Sequence, residues 1–197
     1  MNYPILQLKG KVIFLILDNI LGIIKFQIMR IFLGKKLRID GLVRFSRSAT
    51  IKARTGANIC IGNKCSISSN SIISATANAM VIIGRGTGIN YNSVIVAREK
   101  IVIGNNVLIG PNVSVYDHNH IFNQNKEIKY SGYKTAPIVI EDNVWIGANT
   151  VILKGVKIGT GSVVAAGSVI DRDIPAKSIV KNNRDLLIDN IKFRCDS

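Results

Sequence analysis

The chain has 197 residues, enough for one domain with a real core or one modest domain plus an appendage. Hydrophobic residues at 47% against 19% charged exclude a disordered chain. Lys and Arg total 26 against 12 Asp and Glu, and the net charge of +14 favours anionic partners: phospholipid, acidic polysaccharide or a polyphosphate-bearing cofactor. Aromatics at 6%, with a single Trp, supply few platforms for stacked bases and argue against nucleic acid.

The first 38 residues stand apart. Lys11–Leu33 is apolar but interrupted by Asp18, Lys25 and Arg30, so no uninterrupted run of 18 apolar residues exists and a spanning helix is not expected. No small-residue cleavage site follows, as a secretory signal would require; Lys35 and Lys36 come next. The segment reads as one or two N-terminal amphipathic helices with a basic end. Either they lie in an anionic membrane interface, or they pack on the body of the protein or on a neighbouring subunit. The expected location is cytoplasmic, with a possible peripheral hold on the inner face of the cell membrane.

From residue 39 a period of six appears. Its key positions are Ile39, Phe45, Ile51; Ile61, Ile67, Ile73; Ile83, Ile89, Ile95; Ile103, Ile109, Val115; Ile140, Ile146, Ile152; and Ile158, Val164, Ile170. Six does not lie on a 3.6-residue stripe, and glycines punctuate the pattern too often for plain alternating strands. Small or β-branched residues recur four places after each key position. Between groups of three the step is 10, 10, 8, 25 and 6, so insertions occur only at group boundaries. A three-sided coil predicts this, with extra residues looping out at one corner. The fold class is therefore all-β: a parallel β-helix of about six triangular coils over 39–175, with an inserted loop at 121–137. Residues 176–197 form a C-terminal tail, expected to contain a short helix.

Cys60, Cys65 and Cys195 are an odd count without metal spacing, and read as reduced thiols. The chain has two histidines, His118 and His120, in Tyr116-Asp117-His118-Asn119-His120, directly before the only long insertion. Loops on rigid scaffolds are where sites accumulate, and imidazole is the side chain whose pKa suits proton abstraction near neutrality. Two histidines one residue apart cannot supply the three zinc ligands of a γ-type carbonic anhydrase, and no metal is expected.

The hexad repeat resembles that of the hexapeptide-repeat acyltransferases, whose coils wind as a left-handed β-helix. The segment Ile140–Pro175, with its Trp-Ile-Gly, Ala-Gly-Ser-Val and Asp-Ile-Pro elements, is similar to the coenzyme A end of galactoside and maltose O-acetyltransferases. The resemblance implies acetyl-CoA as donor, a homotrimer, and a coenzyme groove between subunits at Ala148, Ala166, Asp171 and Arg172, bordered by Trp145. The family's catalytic His falls 30 residues after an Asn in an Asn-aromatic-Asn element. Counting back from His120 lands on Asn90 in Asn90-Tyr91-Asn92; from His118 it lands on Gly88. His120 is thus the expected general base, its second ring nitrogen held by a carbonyl or carboxylate. Asn90 is expected to assist at the oxyanion, and Asp117 and His118 to contact acceptor or coenzyme or to orient the loop. The bland alternative for Asn90 is a corner residue in a turn conformation that Asn tolerates.

Two departures limit the resemblance. The acidic residue that binds acceptor in galactoside-type enzymes corresponds to Arg98, so that acceptor does not carry over and Arg98 becomes a candidate acceptor contact. The usual ending after Asp-Ile-Pro is replaced by Lys181-Asn-Asn-Arg-Asp-Leu-Leu, which leaves the outer phosphate contacts unassigned. The implied activity is O-acetylation of a glycan, a bacterial surface polysaccharide or its repeat unit, by His general-base catalysis in a ternary complex. The alternatives are N-acetylation of a nucleotide-linked amino sugar and a non-catalytic polyanion-binding β-helix. Serine acetylation would call for a long helical N-terminal domain, where only about 38 residues precede the repeat.

Overall fold

The computed structural model describes residues 20–122 and 127–181. The expected C-terminal helix falls on 182–197, and the first part of the N-terminal segment on 1–19; both lie outside the described residues.

The strands form a parallel β-solenoid of about six turns, which fits the left-handed β-helix expected from the repeat. Each coil contributes one short strand to each of three sheets. In the second coil these are Asn58–Ile61, Ser66–Ile67 and Ile72–Ala75, and we call the three faces A, B and C in that order. The key positions stack in the expected register: Ile61 pairs with Ile39 and Ile83, Ile67 with Phe45 and Ile89, and Ile73 with Ile51 and Ile95. The strands run from Leu37 to Val180, where Ile179–Val180 begins a further rung by pairing with Val163–Val164. Nearly all key side chains are buried, so the core is a column of Ile and Val running the length of the coil.

The chemistry of the corners explains the rest of the hexad. The third residue after a key position turns the chain in the left-handed region, as at Asn92 (φ 58°), Asn112 (φ 57°) and Asn149 (φ 58°). The fourth is small and buried. Where it is a hydroxyl it donates to a carbonyl of the next coil: Ser71 to Asn90 O at 2.8 Å, Thr87 to Gly104 O at 2.8 Å, Ser93 to Gly110 O at 3.0 Å. Buried polar groups are thus paired, as burial demands.

The helix over 20–33 caps the open end of the column. Phe26 is buried and stacks on Phe45 with ring centroids 4.9 Å apart, and Met29 and Leu33 pack on the same core. Gly22 is required there, because a Cβ would run into the carbonyl of Phe45. Lys25 Nζ donates to the carbonyls of Arg47 and Ala49, each at 2.8 Å. The opposite side leaves Ile20, Ile24, Ile28, Ile31 and Phe32 exposed. The helix therefore does pack on the body, with one of its two apolar faces. No helix among the described residues is long and apolar enough to cross a membrane.

Candidate active site on the inserted arm

The insertion leaves the solenoid at the corner between faces C and A of the fourth coil. It is a β-arm: His118–His120 pairs antiparallel with Tyr133–Thr135, placing His118 opposite Thr135 and His120 opposite Tyr133. Asp117, the last residue before the arm, is fully buried. Its carboxylate accepts the backbone N–H groups of Arg98 (2.8 and 3.0 Å), Glu99 (2.8 Å) and Lys100 (2.9 Å), which form the tight corner of the coil below. Those donors turn out of any strand ladder, and a buried carboxylate with several acceptor sites satisfies all three.

Asp117 Oδ1 also lies 3.0 Å from His118 Nδ1. The carboxylate accepts, so the proton sits on Nδ1 and leaves Nε2 as the free base site of that ring. The His118 side chain is only 12% exposed, with edge-on contacts to Tyr116 at 5.9 Å and Tyr133 at 5.5 Å. His120 is exposed, its ring 4.5 Å from that of Tyr133. The orienting carboxylate expected at His120 therefore stands at His118 instead, because residue 117 points into the coil and only its immediate neighbour can curl back to reach it.

Asn90 sits half-buried at the corner between faces B and C of the third coil, its Oδ1 accepting Tyr91 N–H at 2.9 Å. The left-handed turn residue of that corner is Asn92, so turn geometry does not explain Asn90. Within one chain the strand Val94–Ala97 separates Asn90 from the C–A corner where the histidines emerge. The implied coenzyme residues divide in the same way. Ala148 and Ala166 stack at the B–C corner, where the backbones approach so closely that a Cβ on Gly147 would meet Ala166 N at 2.5 Å. Trp145 lies on face B in register with Leu108 and Val163, and both Trp145 and Leu108 are more than half exposed. Asp171 and Arg172 lie at the C–A corner. They pair with each other at 2.9 Å, which lowers the aspartate's pKa and raises the arginine's.

Three residues near the arm were not singled out from the sequence: Tyr133, Lys52 and Arg54. Tyr133 packs against both histidines and carries the Arg98 guanidinium on its ring, Cζ 3.2 Å from the centroid. A signal for it existed, since three of the chain's few aromatics (Phe122, Tyr130, Tyr133) fall within the 121–137 insertion. Cys65 is buried, its Sγ donating to Gly84 O at 3.0 Å, and burial pushes its thiol pKa up, away from a nucleophilic thiolate.

A triangular solenoid with an imidazole-bearing arm at one corner defines a class, the hexapeptide-repeat β-helix proteins. Residues 137–172 match the family model described as bacterial transferase hexapeptide (six repeats), and the chain belongs to that family. The galactoside O-acetyltransferase of Escherichia coli is 47% identical over 76 residues, 38% of this chain and 36% of that protein. The hexapeptide-repeat acetyltransferase of Vibrio cholerae, solved in complex with acetyl coenzyme A, superposes with a TM-score of 0.55 at 37% identity, covering 64% of this chain and 65% of that one. A maltose O-acetyltransferase from Clostridium difficile gives a TM-score of 0.50 at 27% identity, covering 79% and 71%. The chain spans between 36% and 45% of the length of the curated acetyltransferases it matches.

Proposed function

We propose that this chain is an acetyl-CoA-dependent O-acetyltransferase acting on a hydroxyl of a glycan, a bacterial surface polysaccharide or its repeat unit. The observation that carries the reading is the exposed His120 on an arm rooted by Asp117, next to coils that match the transferase repeat. His120 takes the proton of the acceptor hydroxyl as that oxygen attacks the thioester carbonyl. The tetrahedral intermediate collapses by breaking the C–S bond, and the imidazolium returns the proton to the departing coenzyme A thiolate. Asn90 and backbone N–H groups stabilise the oxyanion. His118, enclosed and tied to Asp117, holds the arm in place and is the positioning residue.

The division of candidate residues between two corners supports a homotrimer. The B–C corner of one copy, with Asn90, Ala148 and Ala166, would face the C–A corner of the next, with His120 and Arg172, and coenzyme A would run between them. Sedimentation of the full chain should show a trimer, and an active monomer would remove this composite site. The exposed apolar side of the 20–33 helix, beside Lys35, Lys36 and Arg38, supports peripheral contact with an anionic membrane.

The direct test is thiol release from acetyl-CoA on adding de-O-acetylated polysaccharides, with the product read by mass spectrometry. An alkali-labile +42 Da adduct is the expected result. An alkali-stable one on an amino sugar would replace the reading by N-acetylation, and no release with any acceptor would overturn it.

A further inference from the structure

A second feature lies under the arm. The C–A corners of the first three coils and the returning strand of the arm enclose a groove of about 580 Å³. Its walls carry three cations, Lys52, Arg54 and Arg98, with Thr76, Tyr133 and Thr135 among the remaining lining residues and no carboxylate among them. Lys52 and Arg54 are exposed, and among the described residues neither forms a salt bridge. Arg98 Nε is shut off from solvent and has no hydrogen-bond partner among the described residues, an uncommon state for a buried donor. The groove opens beside the candidate base, because Tyr133 is at once its wall and the ring against His120.

We infer that this groove is an acceptor subsite for an anionic sugar unit, one bearing a carboxylate or phosphate that Arg54 and Arg98 bind as forks and Lys52 as a point charge. Three cations from separate coils, converging without a counter-charge, repel one another unless an oxyanion is bound among them. The hydroxyls of Thr76 and Thr135 and the ring of Tyr133 suit the rest of a saccharide. An anionic unit seated here would bring the neighbouring sugar's hydroxyls towards His120. That last step rests on the acyltransferase reading; the binding itself does not.

The test measures binding to the full chain without acetyl-CoA, by fluorescence anisotropy. The probes are a fluorescein-labelled galacturonic acid trimer, its carboxyl-reduced counterpart and a phosphorylated maltotriose. One or both anionic probes should bind at least tenfold tighter than the neutral trimer, and the tighter of the two identifies the oxyanion. Lys52→Gln/Arg54→Gln should lower that affinity at least tenfold, whereas Lys35→Gln/Lys36→Gln, with the same charge change far from the groove, should alter it less than twofold. Equal losses in the two variants would show general attraction to a basic protein and overturn the subsite, as would equal binding of neutral and anionic probes. If the anionic probe binds as described but no acceptor releases thiol from acetyl-CoA, the subsite stands and the acyltransferase reading falls.

Discussion

The carboxylate of Asp117 accepts the backbone N–H of Arg98 at 2.8 Å while its Oδ1 holds His118 Nδ1 at 3.0 Å. One buried acid thus ties the corner that carries a groove cation to the arm that carries both histidines. Asp117→Asn keeps the volume but replaces an acceptor oxygen by an amide donor facing backbone donors. Leaving such groups unpaired costs about 1–3 kcal/mol, so the urea midpoint should fall. Turnover should fall further than stability alone explains, because the arm loses its root. Unchanged turnover in folded Asp117→Asn would mean that arm position does not matter to the chemistry.

His120→Ala should preserve the fold and acetyl-CoA affinity while lowering kcat on the order of 10²–10⁴-fold, the range of general-base contributions. His118→Ala should be milder and act chiefly through looser acceptor binding, since an imidazole 12% exposed and clamped between two tyrosines has little room for an acceptor. Steady-state kinetics on both variants decide between them. Loss of activity in His118→Ala alone would assign the Asp117–His118 pair as the base.

The outer face of the fifth and sixth coils predicts an acid limb of stability. Lys157 Nζ pairs with Glu141 Oε1 at 2.8 Å, and with Thr160 it holds the Glu141 carboxyl down at about 2. A carboxylate whose pKa is depressed on folding contributes stability above its unfolded pKa and loses it as pH falls towards the folded one. The wild type should therefore exceed Glu141→Gln in urea midpoint at pH 7, and the difference should shrink between about pH 4.5 and pH 2. Because the pair is largely open to solvent, salt should reduce the difference too. A difference independent of pH would show that Glu141 acts through packing rather than charge.

How much of this was legible follows from how often each feature repeats. The register Ile61–Ile83–Ile103–Ile140 could be read because each coil restates the same steric demand: an aliphatic inside, a tight turn three residues on, and a small residue behind it. The position of the insertion followed from the single broken step. Its fold-back over the first three coils did not, because nothing in a hexad says which way an arm lies. Tyr133 therefore went unnoticed, and with it the meeting of Arg98, Lys52 and Arg54, which are distant in sequence and share only a corner. The reach of Asp117 into the coil below was equally hidden, since it satisfies donors of a corner that is shorter than its neighbours.

The N-terminal helix offers the last prediction. It has two apolar sides: Gly22, Phe26, Met29 and Leu33 meet the solenoid, while Ile20, Ile24, Ile28 and Ile31 face outward. Deleting residues 1–34 would uncover Phe45 and the end of the core, so truncation would confuse loss of the cap with loss of an anchor. Point changes separate the two roles. Phe26→Ala opens a cavity against Phe45 and should cost about 3–5 kcal/mol of stability, the usual range for a buried Phe. Ile28→Glu/Ile31→Glu leaves the packed side intact and should hardly change the urea midpoint. If the outward stripe lies in a membrane interface, the intact chain should co-sediment with vesicles containing phosphatidylserine, less so as salt rises, since each basic residue near the surface contributes roughly 1 kcal/mol. The double glutamate variant should then stay in the supernatant with its turnover on a soluble acceptor unchanged. If instead it dissociates the oligomer and the intact chain ignores the vesicles, the stripe is a subunit contact, and peripheral membrane binding is excluded for this helix.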